Sequence, residues 1–141
     1  MVDFTAYYAE EAAKFNAVTD AISDLPVGAG VTVRVYTDCH AYTIIKKTAK
    51  TMTLRQDKAT RDPNWKPEFI PGGFAGHCTN QHEQTYTYEE NPDGAEIKIS
   101  LRTWTDYTGH TRRAWKQSGC GTHNIGGSVS AGRREYYDYN F

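Results

Sequence analysis

The chain has 141 residues, a formal net charge of −1, and 38% hydrophobic residues. This length suits a single domain, residues 1–141, with one modest core. The near-neutral charge disfavours non-specific binding of DNA or RNA, because proteins that bind duplex nucleic acid usually carry a strong basic excess, but it leaves room for a local basic pocket. Ten tyrosines and three tryptophans are typical of surfaces that meet partners, so we expect self-association.

The N-terminal region has no basic segment followed by an apolar one, and no apolar run approaches the length that spans a bilayer. We therefore expect a cytoplasmic protein without membrane partners. In that compartment the three cysteines, Cys39, Cys78 and Cys120, are expected to be reduced thiols and not a disulfide framework.

Apolar side chains recur at spacings of three and four between residues 3 and 22, which predicts an amphipathic helix. The stripe consists of Phe4, Tyr7, Tyr8, Ala12, Phe15, Val18 and Ile22. Asp3 is placed to act as the N-cap. A stretch with proline and two glycines, residues 24–30, then ends the helix.

From residue 31 the hydrophobic period changes to two, because Val31, Val33 and Val35 alternate with polar residues. This pattern predicts strands at 31–36, 41–46 and 51–57 in an antiparallel meander. Residues 58–84 hold several prolines, glycines and aromatics and are predicted to form a long loop. Such loops in small domains are more often functional than decorative.

The alternation resumes at 85–90 and 95–104, and the turn signal Asn-Pro-Asp-Gly between them predicts a hairpin. Residues 105–131 are predicted to form one irregular hairpin, and the aromatic run 132–141 a final strand. The fold class is therefore α+β: an N-terminal helix, 3–22, packed on a mainly antiparallel sheet of about six or seven strands within 31–141.

The last ten residues carry two adjacent arginines, Arg133 and Arg134, among four aromatics. Arginines held on an ordered strand are pre-organised donors that suit a phosphate. The alternative is an edge strand whose arginines are merely solvated.

Further residues suit a nucleotide. Arg55 and Arg102 on predicted strands are additional phosphate donors, Phe74 can stack on a base, and Asn80 can hydrogen-bond the edge of a base. Arginine, aromatic stacking and amide groups together are the usual means of holding unpaired nucleotides.

A metal site and an enzyme are the alternatives. Cys78, His82, Cys120 and His123 are residue types that bind zinc, but the chain has no Cys-x-x-Cys pair. No nucleophile elbow, phosphate-binding loop or dinucleotide fingerprint is present. We expect no cofactor and no catalytic residue.

Several motifs resemble those of small phage and prophage proteins, over nearly the whole chain. They are Val-Gly-x-Gly-Val-Thr at 27–32, Tyr-Thr-Asp-x-His-Ala-Tyr-Thr-Ile-Ile at 36–45, Thr-Leu-Arg-Gln-Asp-Lys-Ala-Thr at 53–60, Pro-Gly-Gly-Phe at 71–74 and the tail 132–141. The layout of helix, sheet and arginine-bearing tail is also similar to that of the first family of Thoeris anti-defence proteins, the phage "sponges".

That family pairs N-terminal helices with an antiparallel sheet and assembles into dimers or hexamers. It sequesters cyclic ADP-ribose isomers made by bacterial TIR enzymes, and some members hold cyclic oligonucleotides at a second site; neither signal is degraded. The resemblance implies a phage protein acting in the host cytoplasm.

By the same resemblance, Arg133 contacts the ligand and Arg55 serves the second site, while Phe74 and Asn80 lie in the region of the base pocket. Relatives carry another arginine four residues after Arg133, where this chain has Tyr137. The alternatives are an anti-defence inhibitor that acts by protein–protein contact, such as an anti-CRISPR, and a phage nuclease or nucleotide hydrolase.

Overall fold

A computed structural model describes residues 2–72, 76–117 and 128–140, which contain one α-helix, ten β-strands and a short 3-10 turn at Gln81–Glu83. The helix is α1 (Thr5–Ser23), and the strands are β1 (Gly30–Val35), β2 (Asp38–Lys47), β3 (Thr51–Gln56), β4 (Lys58–Arg61), β5 (Phe69–Ile70), β6 (His77–Cys78), β7 (Tyr86–Glu89), β8 (Glu96–Thr105), β9 (Thr111–Gln117) and β10 (Val129–Ala131).

Six strands form the main sheet in the order β10-β1-β2-β3-β8-β9, with every neighbouring pair antiparallel. Helix α1 contacts both β9 and β10, the two edges of this sheet. The sheet is therefore curled nearly into a barrel, and the helix lies across its edges. The predicted α+β class is confirmed. No helix in the described ranges is long and apolar enough to cross a membrane.

The core lies on the inner face of the curled sheet and follows the period of two along each strand. Its buried members are Ile22, Val31, Val33, Tyr42, Ile44, Met52, Leu54, Ile99, Trp115 and Val129. Residues between these positions on β1, β3, β8 and β9 face outward. Beyond the bulge at Ile45, β2 resumes with Lys46 opposite Thr53, on the outer face.

The predicted helix is confirmed, but its N-cap is Phe4 and not Asp3. The Asp3 carboxylate accepts a hydrogen bond from the backbone amide of Thr5 at 2.8 Å, one residue before the cap. The apolar stripe, however, does not dock as a whole. Ala12 and Ile22 are buried, whereas Phe4, Tyr7, Phe15 and Val18 are exposed. The expectation that an apolar stripe faces the core is thus wrong for most of its members.

A polar row on α1 makes the contact with the sheet instead. The Asn16 side chain donates to the Thr111 carbonyl and accepts from the Arg113 amide, and the Thr19 hydroxyl donates to the Arg113 carbonyl at 2.7 Å. The Asp20 carboxylate binds the Arg113 guanidinium at 2.7 and 2.6 Å. Because β9 is an edge strand, its outward amides and carbonyls need partners, and the helix supplies them from side chains.

The predicted hairpin of 85–90 with 95–104 is also wrong. Strand β7 pairs with β4 in a separate two-stranded sheet, and β8 pairs with β3 and β9. The turn at 91–94 therefore connects two sheets. At Gly94 a Cβ would lie 2.1 Å from the Gln56 carbonyl oxygen, so this close crossing requires glycine. Strands β4, β5 and β6 likewise lie inside the segment predicted as a loop.

Residues 132–140 do not form the predicted final strand. After β10 the chain leaves the sheet and crosses the outside of β1 and β2 as a segment that we call the C-terminal strap. Its backbone and side chains bond to the body of the protein at separate points: Cys39 with Tyr136, Gln84 with Tyr137, and the Cys78 backbone with Asn140. The strap thereby ties both small sheets to the main one.

Arg133 fastens the start of the strap. Its Nε donates to Asp57 Oδ2 at 2.8 Å and its Nη2 to the Thr43 hydroxyl at 2.9 Å, while Thr43 donates to Asp57 Oδ1 at 2.5 Å. The Asp57 side chain is 1% exposed and that of Arg133 is 30% exposed. A Cβ on Gly30 would lie 2.4 Å from Arg133 Cγ, so glycine allows the arginine to lie against β1.

Replacing Arg133 should destabilise the protein because it leaves the buried Asp57 carboxylate without its cation. We expect Arg133→Ala to lower the free energy of unfolding by about 3 kcal/mol, the lower end for a broken buried pair, since the guanidinium is partly exposed. Urea denaturation measures this. The control is Arg134→Ala, which removes only a cation–π contact with Tyr136 and should cost less than about 1 kcal/mol. Equal losses in the two variants would contradict the role given to Asp57.

The second fastening of the strap is Glu135. One carboxylate oxygen lies 2.8 Å from His40 Nδ1 and the other accepts from the Ala41 amide at 3.0 Å. The hydrogen bond with Glu135 raises the pKa of His40 above its ordinary value of 6.5, against the opposing effect of partial burial. The charge of Asp38 acts in the same direction as Glu135.

A raised histidine pKa gives a defined pH dependence. Protonated His40 stabilises the folded state below pH 6.5, and this contribution is lost as the pH rises through the higher pKa of the folded state. We expect His40→Gln to destabilise the protein more at about pH 5.5 than at about pH 8.5 in urea denaturation. A loss that is the same at both pH values would show that the charge of His40 does not contribute.

Candidate anion-binding site

The outer surface of the main sheet is covered on one half and open on the other. On the covered half, outward-facing Thr32 and Thr43 are nonetheless buried, because the strap lies over them. The Thr32 hydroxyl donates to the Gly132 carbonyl at 2.7 Å. The outward residues of β3, β8 and β9 are exposed or half-buried. This half of the sheet is therefore the part available to a ligand.

Cations dominate the open half. Six of them occupy outward positions, and we call the surface that they form the basic face: Lys46, Arg55, Lys98, Arg102, Arg112 and Lys116. They face outward because their neighbours along each strand, such as Leu54, Ile99 and Trp115, belong to the core. A chain with a net charge of −1 thus carries a local concentration of positive charge.

The centre of the basic face is one row across three strands. Lys46 on β2 is opposite Thr53 on β3, and Thr53 is opposite Lys98 on β8. Neither lysine forms an ion pair or hydrogen bond with any residue that the structure describes. Two uncompensated ammonium groups therefore flank one hydroxyl, an arrangement suited to a phosphate.

Acidic residues neutralise little of this charge. Glu96 is opposite Arg55 in the register of β3 and β8, but the two side chains form no ion pair among the residues described. Asp106 is already committed to Arg112 at 2.7 Å. Hydrogen bonds from Thr108, and then from Arg112, hold the pKa of Asp106 well below its ordinary value. Hence Arg112 contributes least to the face, and Lys46 and Lys98, which are both opposite Thr53, contribute most.

A pocket of about 260 Å³ adjoins the central row and is lined by Lys46, Lys47, Thr48, Thr51, Met52, Thr53 and Lys98. The Lys47 ammonium donates to the carbonyls of Ser23 and Leu25 at the C-terminal end of α1, where a cation is favoured by the helix dipole. Lys47 is thus fixed in place, and the Thr48 and Thr51 hydroxyls bond to each other at 2.6 Å, whereas the Thr53 hydroxyl and the other two lysines remain to bind a guest.

An aromatic ring lies at the far end of the basic face. Trp104 on β8 is contacted by the Lys116 ammonium, 5.1 Å from the ring centroid, and by the Phe15 ring at 6.0 Å. The Arg112 guanidinium lies 5.0 Å over the ring of Phe15. Cations and rings therefore alternate along this end of the sheet, which is a pattern that binds bases and phosphates together.

Two of the six residues predicted to bind the ligand, Arg55 and Arg102, lie on the basic face but not together. Arg55 is opposite Glu96, which is six residues, or about 20 Å, before Arg102 on β8. Arg102 also donates to the Gln117 carbonyl at 3.3 Å. Arg133 lies at the border of the basic face, because it donates to the Thr43 hydroxyl and Thr43 is opposite Arg55. The charge of Arg133 is, however, neutralised by Asp57. Arg134 lies 5.4 Å over the Tyr136 ring on the strap.

The other two predicted residues have different settings. The Asn80 amide holds its own loop, because it accepts from the Glu68 amide at 2.9 Å and donates to the Lys66 carbonyl at 2.8 Å. Phe74 lies outside the described residues. Sequence reasoning missed Lys46, Lys98 and Lys116 because only arginines were weighed, although the period of two already places these lysines opposite the core.

The zinc alternative finds no site among the residues described, where no group of three or more potential metal ligands occurs. Cys78 is buried, with its thiol 3.5 Å from the side-chain oxygen of Asn80, and His82 is exposed beside Glu83. Cys120 and His123 lie outside the described residues.

Comparison with models of protein families, with curated proteins and with solved structures found no match. The resemblance to the Thoeris anti-defence family therefore stays a prediction.

Proposed function

We propose that this protein binds a cyclic nucleotide immune signal on its basic face and sequesters it without degrading it. The observation that carries the proposal is the row Lys46–Thr53–Lys98, in which two lysines flank a threonine and have no ion-pair or hydrogen-bond partner among the residues described. Arg55 lies one row away and adds a planar donor. The sheet fixes the spacing of the backbones of these residues, and the flexible lysine side chains can adjust to a phosphate from there.

The spacing of the cations indicates the class of ligand. Lys46 and Lys98 are separated by two strand spacings, about 10 Å between their backbones, which favours a ligand with two or more phosphates. The pocket of about 260 Å³ is smaller than a typical pocket for a whole small molecule, roughly 300–1,000 Å³. One phosphate and its sugar would enter the pocket, while the rest of the ligand lies on the face.

The proposal keeps the two ligand classes that the resemblance implies, cyclic ADP-ribose isomers and cyclic oligonucleotides, and moves their phosphates from Arg133 to the basic face. Sequestration needs tight binding without turnover. The groups around the central row are ammonium, guanidinium and hydroxyl, which bind phosphate strongly. As a phage protein, it would act in the cytoplasm of the infected host, where such signals accumulate.

The second candidate is an anti-defence inhibitor that acts by contact with another protein. It is favoured by an apolar patch on the small sheet of β5 and β6, where Phe69 and Ile70 are 54% and 51% exposed, beside Tyr137 of the strap, which is 54% exposed. Exposed apolar residues that cluster in this way often mark protein interfaces. The same patch would serve the proposed dimer or hexamer of this chain, and light scattering measures that assembly.

Calorimetric titration with cyclic ADP-ribose isomers, cyclic dinucleotides and cyclic trinucleotides tests the first candidate. We expect binding by the wild type, and a loss of at least about tenfold for Lys98→Glu, because one contact to a phosphate is worth roughly 1.5 kcal/mol or more. Lys66→Glu is the matched control: Lys66 is an exposed lysine in the segment between β4 and β5, outside the main sheet, and its replacement should leave the affinity unchanged.

The fate of the ligand separates the candidates. Heat-denaturing the complex should return the ligand intact, and recovery of a hydrolysed product would instead show an enzyme. If no cyclic nucleotide binds and the protein co-purifies with a host complex, the contact inhibitor is correct and the proposal fails. Equal binding by Lys98→Glu and the wild type would place the site elsewhere.

A further inference from the structure

We infer that the basic face continues into a row of exposed aromatic rings and that the two together bind linear single-stranded nucleic acid. This inference rests on the proposed function in one respect, since it uses the same cations to hold phosphates. It extends that function because it assigns the rings of α1 and of the β8–β9 turn, which a compact cyclic ligand at the central row would not reach.

The length of the surface is the first argument. Strand β8 has ten residues, which at about 3.3 Å per residue extend about 33 Å. Its outward positions include Lys98 and Arg102, and Trp104 lies near the far end. A surface of this length offers phosphate and base contacts to several consecutive nucleotides, whereas the central row and its pocket suffice for a compact ligand.

The second argument is the connection between the sheet and the helix. Phe15 of α1 contacts Trp104 and lies under the Arg112 guanidinium. Tyr8 is two turns earlier on the same side of α1, about 10 Å away along the helix axis. The rings of the helix therefore begin where the basic face ends.

The third argument is the row of rings itself, which we call the aromatic ladder: Tyr107, Tyr8, Tyr7 and Phe4. Tyr107 at the tip of the β8–β9 turn is 6.3 Å from Tyr8, and Tyr8 is 5.5 Å from Tyr7 and 6.0 Å from Phe4. Tyr107 is 93% exposed, Tyr7 55% and Phe4 52%. The two tyrosine contacts are edge-on, at interplanar angles of 70° and 65°, and the high exposure of Tyr107 leaves its ring open for stacking.

Charge and accessibility both select an unpaired strand. The acids next to the ladder are Asp3, beside Phe4, and Asp106, beside Tyr107. Asp106 is paired with Arg112 at 2.7 Å, and Glu10 and Glu11 share Lys14 at 3.3 and 3.8 Å, so cations offset part of the repulsion of phosphates. Rings that stack on base faces require bases that are not already paired and stacked in a duplex. Cations along one stretch and rings along the next are thus suited to single-stranded DNA or RNA and not to a duplex.

Fluorescence anisotropy with labelled oligo(dT) of about 4 and about 12 nucleotides tests the inference. We expect the longer strand to bind more tightly, and Tyr107→Ala combined with Tyr8→Ala to weaken its binding about tenfold or more, since each stacked base contributes roughly 1–3 kcal/mol. The short strand should be unaffected. Phe69→Ala, which removes an exposed ring away from the ladder, is the matched control and should change neither affinity.

The dependence on salt supplies an independent readout. Removing one phosphate contact, as in Lys98→Ala, should reduce the slope of log K against log salt by about 0.7 for a single strand. If the long and short strands bind equally, or the double tyrosine variant binds the long strand like the wild type, the ladder is not a binding surface. That result would overturn this inference and leave the proposal of cyclic nucleotide capture intact. If the wild type binds oligo(dT) but no cyclic nucleotide, only the proposed function is overturned.

Discussion

The ion pair between Arg133 and the buried carboxylate of Asp57 is the constraint on which the rest of the structure depends. A carboxylate that is 1% exposed requires a cation and hydrogen bonds to remain charged, and Arg133 and Thr43 supply both. Because the arginine belongs to the strap, satisfying Asp57 also fixes where the strap crosses β1 and β2. The later contacts of the strap then attach both small sheets to the main sheet. Glu135 bonds to His40 of β2 and, through its amide, to the Tyr88 hydroxyl of β7, and Asn140 bonds to Cys78 of β6.

The position of the strap divides the outer surface of the sheet into two halves with different chemistry. Under the strap, threonines and one carboxylate are buried and satisfied by internal partners. On the other half, lysines and arginines alternate with core residues along β3 and β8 and lack such partners at the central row. The same period of two that directs apolar residues into the core therefore directs the charged residues to the outer face. The strap covers one half of that face and leaves the other half accessible.

The sequence was sufficient for elements whose pattern is local. The period of two predicted β1, β2 and β3 within a few residues, and the spacing of three and four predicted α1. The sequence did not predict pairing between distant strands. Asn91–Gly94 has the residues of a hairpin turn, but the glycine at 94 is needed because the chain crosses close to Gln56 there. The prediction that the apolar stripe of α1 faces the core was wrong for a related reason. The backbone of the edge strand β9 needs polar partners, and Asn16 and Thr19 of the helix supply them. At the site, Arg55 and Arg102 were found from residue type alone, whereas the engagement of Arg133 by Asp57 is a contact between residues 76 apart.

The central claim is that the arginine of the strap serves the fold while the lysines and Arg55 serve the ligand. Nitrogen-detected NMR of the side chains during a titration with pyrophosphate tests it most directly. The account predicts that the Nζ signals of Lys46 and Lys98 and the Nε signal of Arg55 shift with added ligand, while the Nε signal of Arg133 stays in place because Asp57 retains it. A shift of the Arg133 signal as large as those of the lysines would contradict the account.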